Sequence, residues 1–319
     1  MAEHTGARPR LAWRGRRSRP RPARTRPATP VGRRLTVPST GGARLHVEIH
    51  GPQDAPTVVL VHGWTCNTTM WYPVLRRLLP GHRVVLYDQR GHGCTPATPG
   101  NCSAEALADD LCAVLTATLP GDRAVVAGHS MGAMTVVAAA ERPELRAHAA
   151  AVLLCSTGVE RLTARATVFP LPAGRPRRLA QRMLLTARLP LGPVTPLSRR
   201  LLHHAALGPA ATREQVRLTA EIVSRCAPGP RAEWGGVLAR LHLARLLPAL
   251  DLPTALVQGT ADRLTPPVHA RGMAARLPRL HGLTELPGVG HMTPIETPRQ
   301  VADTVTALTR AYLKPSGRP

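Results

Sequence analysis

Five short runs of apolar residues, each closed by glycine or polar residues, constrain this chain more than any other feature. Thr57-Val58-Val59-Leu60-Val61 ends in His62-Gly63-Trp64, and residues 84–87 end in Asp88-Gln89-Arg90-Gly91-His92-Gly93. Residues 124–127 lead into Gly128-His129-Ser130-Met131-Gly132, and residues 150–155 and 254–258 repeat the pattern. A strand without a polar face must be covered on both sides, which is the environment of a parallel sheet. Helical periodicity at residues 70–79, 103–118 and 131–141 fills the intervals, so strand and helix alternate. The expected fold is α/β, a mostly parallel central sheet with helices on both faces. Residues 44–50 alternate instead, and the Gly41-Gly42 turn before them predicts an antiparallel opening hairpin.

Residues 35–158 and 247–319 then form the two parts of one core. Between them, residues 159–246 carry no comparable apolar run. Amphipathic stretches at 177–189, 213–226 and 232–247 predict a helical lid inserted before the last strands, an ordinary helical subdomain without a gating role being the alternative. Residues 1–34 alternate arginine and proline with few apolar side chains, and are expected to form a disordered arm.

The formal charge of +23 is concentrated. Residues 1–35 contribute +10 and residues 159–246 contribute +11, which leaves +2 for the part that holds every motif above. Only Lys314 accompanies 41 arginines, and aromatic residues make up 3% of the chain. That pattern argues against specific nucleic-acid binding, which uses basic grooves interleaved with stacking rings. The arm does suit weak contact with an anionic membrane surface. Arg16-Arg17 is followed by more arginine and proline where an export signal needs an apolar stretch, so the expected location is cytoplasmic. The six cysteines form no CxxC pair. They read as reduced thiols without a metal site, a Cys94–Cys102 bridge being the alternative.

Gly128-His129-Ser130-Met131-Gly132 fits Gly-x-Ser-x-Gly, in which a serine sits on a sharp turn between strand and helix. Composition alone gives about 0.06 chance matches per chain, and here a buried run precedes the motif while a helix former follows it. A serine hydroxyl needs a base, and the base needs a carboxylate to fix its tautomer. Asp262 follows the fifth apolar run, and His291 lies in the glycine-rich Pro287-Gly288-Val289-Gly290-His291 before a terminal helix near Pro298. The chain order Ser130, Asp262, His291 therefore predicts nucleophile, orienting carboxylate and general base. The Met131 amide, at the start of its helix, is placed to receive an oxyanion. Trp64, Met131, Leu264 and Met292 flank these positions as candidate pocket walls, with core packing an equally good reading.

Together, His62-Gly63-Trp64, Asp88 to Gly93, Gly128 to Gly132, Gly259-Thr260-Ala261-Asp262 and Gly290-His291 resemble the recurring motifs of the α/β-hydrolase superfamily, in its serine hydrolase branch of esterases, lipases and perhydrolases. The resemblance implies a second oxyanion donor in the Trp64 amide, a shaping role for His62, and a structural loop at Asp88, Arg90 and His92. Superfamily members that form an ester on aspartate are disfavoured, because the turn here carries Ser130. The expected activity is cofactor-free cleavage of a carboxylic ester or related small acyl substrate through an acyl-serine. Perhydrolase or haloperoxidase-like chemistry, C–C bond or lactone hydrolysis, and a non-catalytic ligand-binding role are the alternatives.

Overall fold

A computed structural model describes residues 1–2, 32–191 and 193–313. The expected arm lies almost wholly outside the described residues. At its end the boundary moves, because Arg33 and Arg34 already belong to β1 (Arg33–Pro38), paired antiparallel with β2 (Arg44–His50). The Leu35 and Val37 side chains pack on the core, which draws the preceding arginines into the ladder.

The continuous apolar runs become β3 (Thr57–Val61), β4 (Arg83–Tyr87), β5 (Ala124–His129), β6 (Ala149–Cys155) and β7 (Thr254–Gly259). With β8 (Leu280–Leu286) they complete an eight-stranded sheet ordered β1-β2-β4-β3-β5-β6-β7-β8, parallel from β4 to β8. Alternation within each run divides it between two cores. Val59 and Val61 face one cluster with Leu111 and Val136, whereas Val58 and Leu60 face the other with Trp71 and Val305. The helices covering these faces are α1 (Tyr72–Leu78), α2 (Ala104–Thr118), α3 (Met131–Ala138) and α4 (Pro143–His148). β8 escaped the sequence reading because it is an edge strand with mostly exposed or half-exposed residues and no apolar run.

Five helices are inserted between β6 and β7: α5 (Leu162–Arg165), α6 (Arg175–Thr186), α7 (Pro196–Ala206), α8 (Arg213–Ser224) and α9 (Pro228–Arg240). α7 was not expected. Its signal was Thr195-Pro196-Leu197-Ser198, in which Thr195 and Ser198 cap each other's backbone. The helix expected over residues 232–247 is corrected: α9 stops at Arg240, and Ala244–Ala249 form a separate 3-10 turn. The break falls where Leu243 N–H donates to Val159 at 2.7 Å and His242 bridges to Glu160, pairings that override helical periodicity. α10 (Val268–Ala274), α11 (Thr293–Glu296) and α12 (Pro298–Tyr312) complete the chain. All six cysteines are free. Among the described residues no helix is long and apolar enough to cross a membrane.

Strand order reverses between β3 and β5, whose parallel register runs from Thr57↔Ala124 to Val61↔Gly128. Open α/β sheets place ligands at such a crevice. Here the crevice juxtaposes the His62-Gly63-Trp64 turn and the turn that carries Ser130.

Candidate active site

Ser130 caps α3 with φ +53° and ψ −116°, a conformation that costs a non-glycine residue about 1–3 kcal/mol. The surroundings impose it. Ser130 N–H donates to Cys155 O, and the Thr157 hydroxyl donates to Ser130 O, both at 2.9 Å. The turn requires glycine at both flanks: a Cβ on Gly128 would stand 2.5 Å from Ala133 N, and one on Gly132 would stand 2.2 Å from Val61 O. A Cβ on Gly63 would come within 3.1 Å of the Ser130 Cβ, so the two turns are in direct apposition.

Asp262 leaves the end of β7 and is almost fully buried. Its Oδ1 accepts the Leu264 and Thr265 amides at 2.9 Å each, while Oδ2 accepts the Thr265 hydroxyl at 2.8 Å and Gln258 Nε2 at 3.1 Å. Oδ2 also stands 2.8 Å from His291 Nδ1. Burial by itself would raise this carboxyl, but the charge of His291 and these donors outweigh it and hold its pKa below the ordinary value. Nδ1 of His291 is thereby the nitrogen that donates to Asp262.

Two further groups fix His291. His129 Nε2 donates to the His291 carbonyl at 2.8 Å, and burial, then the nearby His291, pushes the His129 pKa down to about 3. The Glu296 carboxylate accepts Gly208 N–H at 2.7 Å and the Gly290 and Met292 amides at 3.1 Å each. Burial raises Glu296 despite these three donors. The end of α7 joins the same loop, because Ala206 O accepts the His291 amide at 2.9 Å and the Met292 amide at 3.3 Å.

Ser130 and His291 line one cavity of about 180 Å³, together with Trp64, Leu264 and Met292. Asp262 stands behind the imidazole and Met131 beneath the turn, both buried. Among the described residues the Trp64 and Met131 amides have no acceptor, whereas the neighbouring Thr65 and Cys66 amides donate to His92 and Gly63. The Trp64 indole donates to Arg231 O of α9 at 2.9 Å, tying this turn to the inserted helices. A larger groove of about 700 Å³ beside Arg142 and Arg240 contains none of these groups.

His62 lies outside the cavity. It donates from Nδ1 to Gly63 O at 2.8 Å and accepts Gln89 N–H at 3.0 Å, and burial lowers its pKa to about 4. His92 accepts the Thr65 amide, and Arg90 is paired with Asp110 inside the protein. His46, Asp88 and Cys94 place donor atoms within 4.8 Å of one another, but both Asp88 oxygens already accept backbone amides, from Thr68 and Cys94. Sequence reasoning missed Thr265, His129 and Glu296. The Asp-x-x-Thr spacing of Asp262 and Thr265 was a readable turn signal. Glu296 had none, since its partners are backbone amides.

Residues 58–304 match the model of the alpha/beta hydrolase family, and the chain belongs to that family and is a hydrolytic enzyme. It is 29% identical over 265 residues to the pimeloyl-(acyl-carrier protein) methyl ester esterase of Xanthomonas campestris pv. campestris, covering 81% of this chain and 96% of that protein. A thermophilic esterase from Thermogutta terrifontis superposes with a TM-score of 0.71 at 26% identity, covering 88% of this chain and 98% of the other. The enol-lactonase of Burkholderia xenovorans LB400 shares the fold, with a TM-score of 0.69 at 24% identity over 86% of this chain and 100% of the other.

Proposed function

We propose that this chain cleaves a carboxylic ester, or a closely related small acyl compound, through an acyl-enzyme formed on Ser130. The observation that carries this reading is the buried contact of 2.8 Å between His291 and Asp262, opening on the cavity that Ser130 lines. His291 Nε2 takes the serine proton as Oγ attacks the carbonyl carbon. Negative charge gathers on the substrate oxygen and is met by the Trp64 and Met131 amides, the latter at the positive end of α3. Collapse of the tetrahedral intermediate expels the alcohol, protonated by His291. The same imidazole then deprotonates water, which attacks the acyl-serine, and a second collapse releases the acid and restores the serine. These steps use no metal or organic cofactor.

Met134, Leu184, Leu264 and Met292 in the cavity wall suit an apolar acyl or alcohol group. The methyl ester esterase among the relatives supports the ester reading. A cytoplasmic location belongs to the same proposal. A chromogenic short-chain ester assay tests the mechanism, together with labelling by a fluorophosphonate. Ser130→Ala is expected to lower kcat/KM at least about a thousandfold and to abolish the label. Equal rates for the two proteins, or a label on another residue, would sink the reading.

A further inference from the structure

The stretch from Arg161 to Thr212 contains nine arginines and no aspartate or glutamate. It also holds nine of the twelve exposed large apolar side chains among the described residues. An exposed leucine alone means little, but a concentration of them marks an interaction surface. On α6, Leu179 and Met183 are 60% and 64% exposed; on α7, Leu197 and Leu201 are 67% and 61% exposed. Each pair is spaced i, i+4, so each helix turns one apolar ridge outward. Leu189, Leu191 and Val194, in the connection between the helices, are exposed as well. The opposite sides of the same helices line the catalytic cavity through Gln181 and Leu202, and Leu184 and Leu191 are both exposed and part of its lining. Leu184 and Leu191 therefore join the cavity wall to the outward ridges.

We propose that the outer face of α6, α7 and their connection docks on an anionic lipid surface, with the cavity mouth turned toward it. Arginines beside projecting leucines and methionine fit the boundary between headgroups and acyl chains, where one material meets both the charge and the apolar surface. A second copy of this chain would set arginine against arginine with no acid in the stretch to offset the repulsion. An acidic protein would answer the arginines but not the outward leucines. Docking stands on this surface alone; its corollary, that the ester enters from the lipid, rests on the hydrolytic reading above.

The test is cosedimentation of the full chain with vesicles of phosphatidylcholine alone or mixed with phosphatidylglycerol. The expected result is binding to the mixed vesicles, weakened by salt, and equal binding by Ser130→Ala. Combining Leu179→Ser, Met183→Ser, Leu197→Ser and Leu201→Ser leaves every arginine in place and is expected to weaken binding about tenfold or more. Hydrolysis of a water-soluble short ester should be unchanged by those four substitutions. If they impair folding, Arg178→Gln with Arg182→Gln and Arg200→Gln should remove the preference for phosphatidylglycerol. Vesicle binding unaffected by both sets would assign the attachment to the N-terminal arginines and overturn the proposal. So would the absence of binding, equal binding to both vesicle types, or a dimer or acidic-protein complex that the serine set dissolves in a chain that ignores vesicles.

Discussion

The carboxyl edge of the sheet and the outer face of α6 and α7 solve opposite problems. At the edge, both oxygens of a buried aspartate have donors, the histidine loop is held by Glu296 and by His129, and glycine stands where the turns touch. On α6 and α7, leucines and a methionine face water beside arginines that lack acidic neighbours in sequence. The first region is complete within the chain. The second meets its needs only through something outside it. Preorganised chemistry requires closure, since a positioned group must not have to find its partner during the reaction. A docking surface requires the reverse.

This contrast can be broken at several points. Asp262→Asn keeps the shape of the carboxylate but no longer fixes the imidazole tautomer, and is expected to lower kcat about a thousandfold in an ester assay. The same substitution tests the acid limb of stability. The folded-state pKa of Asp262 lies below its ordinary 3.8, so its contribution is present above that pH and is lost as pH falls through the depressed value. Denaturant titrations of Asp262→Asn should lack that decline. Leu154→Ala, at a fully buried position of β6, is expected to cost about 2–5 kcal/mol in urea unfolding. Glu296→Gln leaves one oxygen for three amides, and kcat should fall about tenfold with KM little changed. Unaltered kcat would show that the imidazole is held without this clamp. Leu197→Ser should change stability by less than about 0.5 kcal/mol. A loss there comparable to that of Leu154→Ala would mean that the outer face of α7 is covered from within, and the contrast would fail.

The same divide separates what was legible in the sequence from what was not. Val58 to Val61 and their counterparts announced the sheet because a doubly covered strand must be apolar throughout, and Ser130, Asp262 and His291, which the fold brings together at one cavity, could be singled out because the proposed chemistry restricts both residue type and chain order. β8 was silent, since an edge strand with His281, Thr284 and Glu285 carries no such restriction. Glu296 was silent because backbone amides leave no trace in side-chain identity. For the inserted helices, periodicity revealed amphipathic faces but not which face was turned outward. Orientation is a tertiary fact, fixed by the packing of α6 on α9 and of α7 on α8.

Gly208 and Gly290 meet so closely that a Cβ on either would strike the other segment's backbone at 2.0 or 2.3 Å. With Ala206 O held by two amides of the opposing loop, the last turn of α7 and the segment bearing the imidazole are in effect spliced. Transplanting the inserted helices between relatives therefore requires residues 206–208 and 288–292 to travel as a matched set. A graft cut between them would leave the His291 imidazole unmoored however well its new cap folded.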